Sequence, residues 1–142
     1  MRLMELLVAV SIISLLTATA VVFAGDIPAP VETEAAARQL VREIQAARQM
    51  AMAKAITVEM VFFRAQRCYI IRQEVVGAPP ARRVDLPPGV FWVSIPFENI
   101  RFHPSGRATR NGTFILAHEQ GEGQVRVVVA PSTGRVRLEH PQ

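Results

Sequence analysis

The chain has 142 residues, half of them apolar, and a formal charge of +4. That length suits one compact domain with an appendage and excludes two full domains. The lone cysteine, Cys68, excludes an intrachain disulfide and the multi-cysteine zinc patterns, and the modest basic excess collects over residues 101–142, which carry +3.

From Leu6 to Gly25 no residue is charged. As a helix that run extends about 30 Å, the thickness of one hydrocarbon core. Three readings compete for it. A secretory signal peptide would use Arg2 as its basic region and Ala18-Thr19-Ala20 as its cleavage site. A plain membrane anchor needs only the hydrophobicity. The third is a helix that anchors first and assembles afterwards. Glu5 separates them, because signal peptides lack an acid beside the apolar stretch and a plain anchor has no use for one. A carboxylate in a membrane helix costs about 2.5–3.5 kcal/mol near the centre and less near an end, so it calls for a cation. A terminal ammonium one helical turn away, in the same chain or a staggered neighbour, is the nearest candidate.

The run Met1-Arg2-Leu3-Met4-Glu5-Leu6-Leu7-Val8 resembles the amino terminus of mature type IV pilins and type II secretion pseudopilins. The resemblance implies a leader already removed by a prepilin peptidase/methyltransferase, with Met1 the processed and N-methylated residue. It implies that Glu5 pairs with a terminal amine during assembly, and that Leu6, Leu7, Val10, Ile13 and Leu16 pack in a filament core. Residues 1–24 are therefore expected to form a helix that sits in the inner membrane before assembly and in the filament core after it.

Gly25-Asp26-Ile27-Pro28-Ala29-Pro30 predicts a break, since proline inside a helix removes a hydrogen bond and clashes with the preceding turn. An amphipathic helix is expected over 32–55, within a segment 25–56. Ala37, Leu40, Ile44, Ala47 and Ala51 form its apolar stripe, with Glu32 and Glu34 at its positive end and Lys54 at its negative end. After Ile56 the period changes to two: Val58, Met60 and Phe62 alternate with Thr57, Glu59 and Val61. A turn near Ala65-Gln66 leads to a strand over 68–75. Residues 77–88 carry four prolines and read as a loop. Strands follow over 90–95, 100–103, 113–117, 124–129 and 135–138, with turns at Pro104-Ser105-Gly106, Asn111-Gly112, Gly121-Glu122-Gly123 and Ser132-Thr133-Gly134. The fold class is α+β: a long amino-terminal helix, hydrophobic in its first half and amphipathic in its second, packed on an antiparallel β domain over 57–142.

Phe102-His103-Pro104-Ser105-Gly106, the strand Gly112-Thr113-Phe114-Ile115-Leu116, and Pro131-Ser132-Thr133-Gly134-Arg135-Val136-Arg137 resemble the GspH/FimT-like pilins. The residues themselves show no catalytic constellation. His103, His118 and His140 are widely spaced and read as surface residues, Cys68 as a small core residue, and Gly121-Glu122-Gly123 as a hairpin turn rather than a phosphate loop. Neither enzyme activity nor a cofactor or metal is expected. Asn111-Gly112-Thr113 matches a glycosylation sequon but also a favoured tight turn. Arg135 and Arg137 fall on one face of the last strand and form a candidate DNA-binding pair, with Arg107, Arg110 and Arg126 as extensions. The resemblance implies the same, since a Gly-Arg-x-Arg motif here binds DNA in some FimT-like pilins. The competing reading pairs these arginines with Glu119, Glu122 or a neighbouring subunit. The expected function is a structural subunit of a type IV pilus-like extracellular filament, whose partners are identical or homologous pilin subunits. A DNA-binding uptake pilin and a type II secretion pseudopilin are the alternatives.

Overall fold

The computed structural model describes residues 2–23, 28–121, 123–130 and 133–140, and the side chains of all of these except 17–23. Helix α1 spans Arg2–Phe23 and helix α2 spans Ala29–Lys54. The expected break at Gly25-Asp26-Ile27 lies outside the described residues. Pro28 takes the N-cap position of α2 and Pro30 lies in its first turn. The helix therefore begins three residues earlier than its stripe predicts, because proline is tolerated where the N–H has no intrahelical partner. It ends at Ala55, which adopts a left-handed conformation (φ 52°) and returns its N–H to the Ala51 carbonyl.

Eight strands follow: β1 Thr57–Phe63, β2 Cys68–Glu74, β3 Arg82–Asp85, β4 Val90–Ser94, β5 Asn99–Phe102, β6 Gly112–His118, β7 Gln124–Val129 and β8 Val136–Glu139. They form two four-stranded sheets, ordered β3-β2-β1-β5 and β4-β6-β7-β8, with every pairing antiparallel. The proline-rich stretch read as a loop thus contains β3. It is an edge strand, where missing donors are tolerated. Asn111-Gly112 is not a tight turn either. The chain reverses at 103–107, where the Gly106 N–H donates to His103 O at 2.8 Å. Gly112 already belongs to β6, and a Cβ there would meet Pro96 at 2.5 Å.

The core lies between α2 and both sheets. Ala36, Ala37, Leu40, Ile44, Ala47 and Ala51 are buried on the helix, so the expected stripe is the buried one. Four alanines let the helix axis approach the sheets closely, while Leu40 and Ile44 fill the middle. Val58, Met60 and Phe62 of β1 face them. Phe62 also meets Phe114 of the other sheet at 4.5 Å between ring centroids and Trp92 edge-on at 5.9 Å. Phe97, between β4 and β5, meets Phe114 edge-on at 5.2 Å. These aromatic contacts bind the two sheets to each other.

One alternation departs from expectation. Glu59 points away from the core yet is only 1 % exposed. Cross-strand register places Arg72 and Arg101 directly opposite it on its two neighbours. Both arginines pair with its carboxylate, Asn99 donates a hydrogen bond to it at 2.9 Å, and Arg101 also reaches Glu74 at 3.1 Å. Burial pushes the Glu59 carboxyl up, but the hydrogen bonds from Asn99 and Arg72 and the charges of both arginines outweigh it and hold the carboxyl below the usual glutamate range.

Two outcomes are expected. Leu40→Ala leaves a hole among rigid neighbours and lowers stability by about 2–5 kcal/mol in chemical denaturation. Because the Glu59 carboxyl is depressed in the folded state, its contribution is complete above the unfolded value and is lost as pH falls through the folded one. Glu59→Gln should therefore cost about 1–3 kcal/mol at neutral pH and flatten the fall in melting temperature below about pH 4.3.

Candidate functional site

Two surfaces carry the expected functional residues. The first is α1. All side chains described on it, from Arg2 to Leu16, are exposed. Among them are Leu6 (66 %), Leu7 (56 %), Val10 (52 %), Ile13 (61 %) and Leu16 (63 %), the expected filament-core set. Its two serines in this stretch do not need water: the Ser11 hydroxyl donates to Leu7 O at 2.7 Å and that of Ser14 to Val10 O at 2.8 Å. Glu5 stands in the first turn, at the positive end of the helix. Met1 and Ala24-Gly25 lie outside the described residues. Among the described residues no helix is both long and apolar enough to cross a membrane.

The second surface is the carboxy-terminal edge. Arg135 precedes β8 rather than lying in it, and β8 is the outer strand of its sheet. Arg135 and Arg137 are exposed while Val136 and Leu138 turn inward against the core, as alternation predicts. Their surroundings differ. Arg137 pairs with Glu139 at 2.7 Å, whereas Arg135 forms no ion pair among the described residues. Of the expected acidic partners, Glu119 binds Arg67 instead, and Glu122 lies outside the described residues.

Arg135 lines an open recess of about 370 Å³ with Gln45, Arg48 and Gln49 of α2, Gly134 and Val136. Arg48 organises this corner. Its Nε donates to Gly106 O at 3.0 Å, and Gly134 lies so close that a Cβ there would stand 2.9 Å from the same oxygen. Gly106 (φ +80°) would in turn press a Cβ to 2.6 Å from Met52 Sδ. The two carboxy-terminal motifs, far apart in sequence, therefore meet over one turn of α2. Pro131 and Ser132 of the second motif lie outside the described residues. Sequence reasoning missed Arg48, because nothing within its own helix distinguishes it from Arg38 or Arg42.

His118 also departs from expectation. Its side chain is 8 % exposed, not superficial. Its Nε2 lies 3.0 Å from Glu32 Oε2, and its Nδ1 accepts the Gln120 N–H at 3.0 Å. It ties the first turns of α2 to the end of β6. Cys68 is buried, as expected of a small core residue. Among the described residues no cluster of histidine, cysteine or acids could hold a metal.

Comparison with known proteins places this geometry. The family model described as type II transport protein GspH matches residues 36–133. The minor pseudopilin EpsH of the Vibrio cholerae type 2 secretion system has a similar structure: TM-score 0.64 at 16 % identity, covering 78 % of this chain and 98 % of that one. The type IV minor pilin FimU of Pseudomonas aeruginosa gives 0.64 at 19 % identity, covering 80 % and 95 %. At those identities the likeness is one of fold. No curated protein matches by sequence.

Gly134→Ala should lower stability by at least about 1 kcal/mol, because alanine resists the left-handed conformation and its methyl group meets Gly106 O. Gly77→Ala, at a comparable positive φ of 76° but facing open space, separates the two causes when both unfolding curves are measured.

Proposed function

The chain belongs to the GspH family of type II transport proteins, and from that premise we propose that it is a structural subunit of a type IV pilus-like filament, held in the inner membrane by α1 before assembly. The observation that carries this reading is α1 itself, whose described apolar side chains are exposed to solvent. Removing one such leucine from water is favourable by about 1.5–3 kcal/mol, so the helix requires lipid or neighbouring helices. Extraction from lipid into the filament replaces acyl-chain contacts with contacts between identical or homologous subunits. Glu5 then supplies register: a carboxylate in an apolar helix bundle binds only where a terminal amine of the adjoining subunit meets it. A prepilin peptidase/methyltransferase would generate that amine at Met1. The secretion-pseudopilus form of the filament is the one the family's description favours.

Glu5→Ala should leave membrane insertion intact and lower incorporation into filaments by at least about tenfold. Fractionation measures the first and filament purification the second; normal incorporation of the variant refutes the role of Glu5.

A second reading, binding of double-stranded DNA, is supported by the recess in which Arg135 stands beside Arg48 and two glutamines with no acid paired to it among the described residues. Guanidinium and amide donors lining one recess suit backbone phosphates. Arg135→Ala should weaken retention on DNA cellulose and reduce the salt slope by about one unit, with Arg137→Ala, already paired to Glu139, having the smaller effect. Absence of retention by the unaltered protein at low salt excludes this reading.

A further inference from the structure

His118 bonds through both ring nitrogens, and neither contact is used by a filament or by DNA. Its Nδ1 accepts the Gln120 N–H at 3.0 Å, and its Nε2 faces Glu32 Oε2 at 3.0 Å. One proton satisfies both contacts: carried on Nε2 it is donated to the carboxylate, and the Nδ1 lone pair remains for the amide. Gly89 holds the ring in this pose, approaching so closely that a Cβ there would stand 2.5 Å from Nε2 and 2.7 Å from Cε1. The turn that follows is held lightly. Besides the Gln120 bond it closes through the Gly121 N–H on His118 O, which is long at 3.4 Å. Recesses of about 330 Å³ and about 150 Å³ flank the ring, the first lined by Glu119 and Gln120 and the second by Gly121. They give the turn space to move and bring water to the imidazole.

We propose that His118 is a proton-operated switch, in which a second proton, taken from water at Nδ1, releases the Gln120–Gly121 turn while Glu32 keeps its hold on the ring. Once there, the Nδ1–H faces the Gln120 N–H, donor against donor, and that bond is lost. At Nε2 the same event has the opposite effect, because a hydrogen bond from a neutral ring becomes an ion pair. The other charged groups around the ring act in the same direction. Glu34 of α2 and His140, just beyond β8, line the smaller recess 3.8 Å apart, and a proton on His140 draws them together. Glu34 also holds Arg38, and Glu119, next to His118 in the chain, is turned to Arg67. Pro88 and Gly89, on the remaining side, bring no charge. Acid therefore tightens the sheet's grip on the first turns of α2 and loosens only the turn, over the range in which imidazole changes charge. That turn packs beside the start of α2: a Cβ on Gly121 would stand 3.0 Å from that of Ala29, the first residue of the helix. On the filament reading the surface next to α1 thus differs between acid and neutral surroundings, whereas the switch itself does not depend on that reading.

The test follows the full-length chain in detergent micelles by nitrogen NMR, from about pH 8 to about pH 5. At the upper end the His118 ring is expected in its Nε2–H form, with the Gln120 amide protected from hydrogen exchange. As the ring titrates, the protection factor of that amide should fall by at least about tenfold, while the amides of α2 keep theirs. His140→Asn should leave the fall in place, and Glu32→Gln should displace it to lower pH, because the imidazolium then lacks its carboxylate. In His118→Asn the protection of Gln120 should no longer depend on pH; a fall equal to that of the unaltered chain overturns the proposal. So does a neutral ring protonated at Nδ1, a ring that keeps one charge throughout the range, or Gln120 protection unchanged while the ring titrates. These last three are read on the unaltered chain, so they decide the matter even where a variant fails to fold. None of the measurements involves filaments, and the filament reading stands whatever they return.

Discussion

The buried stripe of α2 is the constraint on which the globular part depends. Alanine at 36, 37, 47 and 51 brings the helix axis close to strands of both sheets, and Leu40 and Ile44 occupy the deepest positions between them. Because both sheets rest on one helix, the helix fixes their mutual position and with it the loops at their ends. The corner where Gly106, Gly134 and Arg48 meet is a direct result: three residues distant in sequence converge because β5, β8 and α2 share a wall of the core. The His118–Glu32 contact ties the other end of the helix in the same way.

The two helices meet opposite demands with similar means. In α2 the apolar residues recur every three to four positions and vanish into the chain's own core. In α1 they surround the helix, and those described are exposed. A helix apolar on all sides is stable only in lipid or among other helices. The serines of α1 agree with such surroundings, since each returns its hydroxyl to the backbone of the preceding turn. The exposed apolar side chains of α1 are the feature on which the proposed role in a filament rests.

The charged residues show where sequence reasoning stops. Arg135 and Arg137 stand two residues apart and look equivalent in the sequence, yet Glu139 neutralises Arg137 and a recess beside Arg48 receives Arg135. Glu59 reads as the polar half of an alternating strand. Only the register of β1 with both neighbours reveals two arginines directly opposite, which make its burial tolerable. His118, read as a surface residue, is covered because Gly89 approaches so closely that a Cβ there would meet the ring at 2.5 Å.

What the sequence determined by itself is periodic or local. The change of period after Ile56 separates helix from sheet, the alanine stripe marks the buried face, and Glu5 ahead of an uncharged run marks the amino-terminal helix. Each of these depends on neighbours within about four residues, so it can be read along the chain. The tertiary structure decided the division of strands into two sheets, the survival of β3 among prolines at a sheet edge, and the partners of Glu59, Arg48 and His118. These rest on pairings between residues tens of positions apart, for which no local pattern in the chain provides a signal.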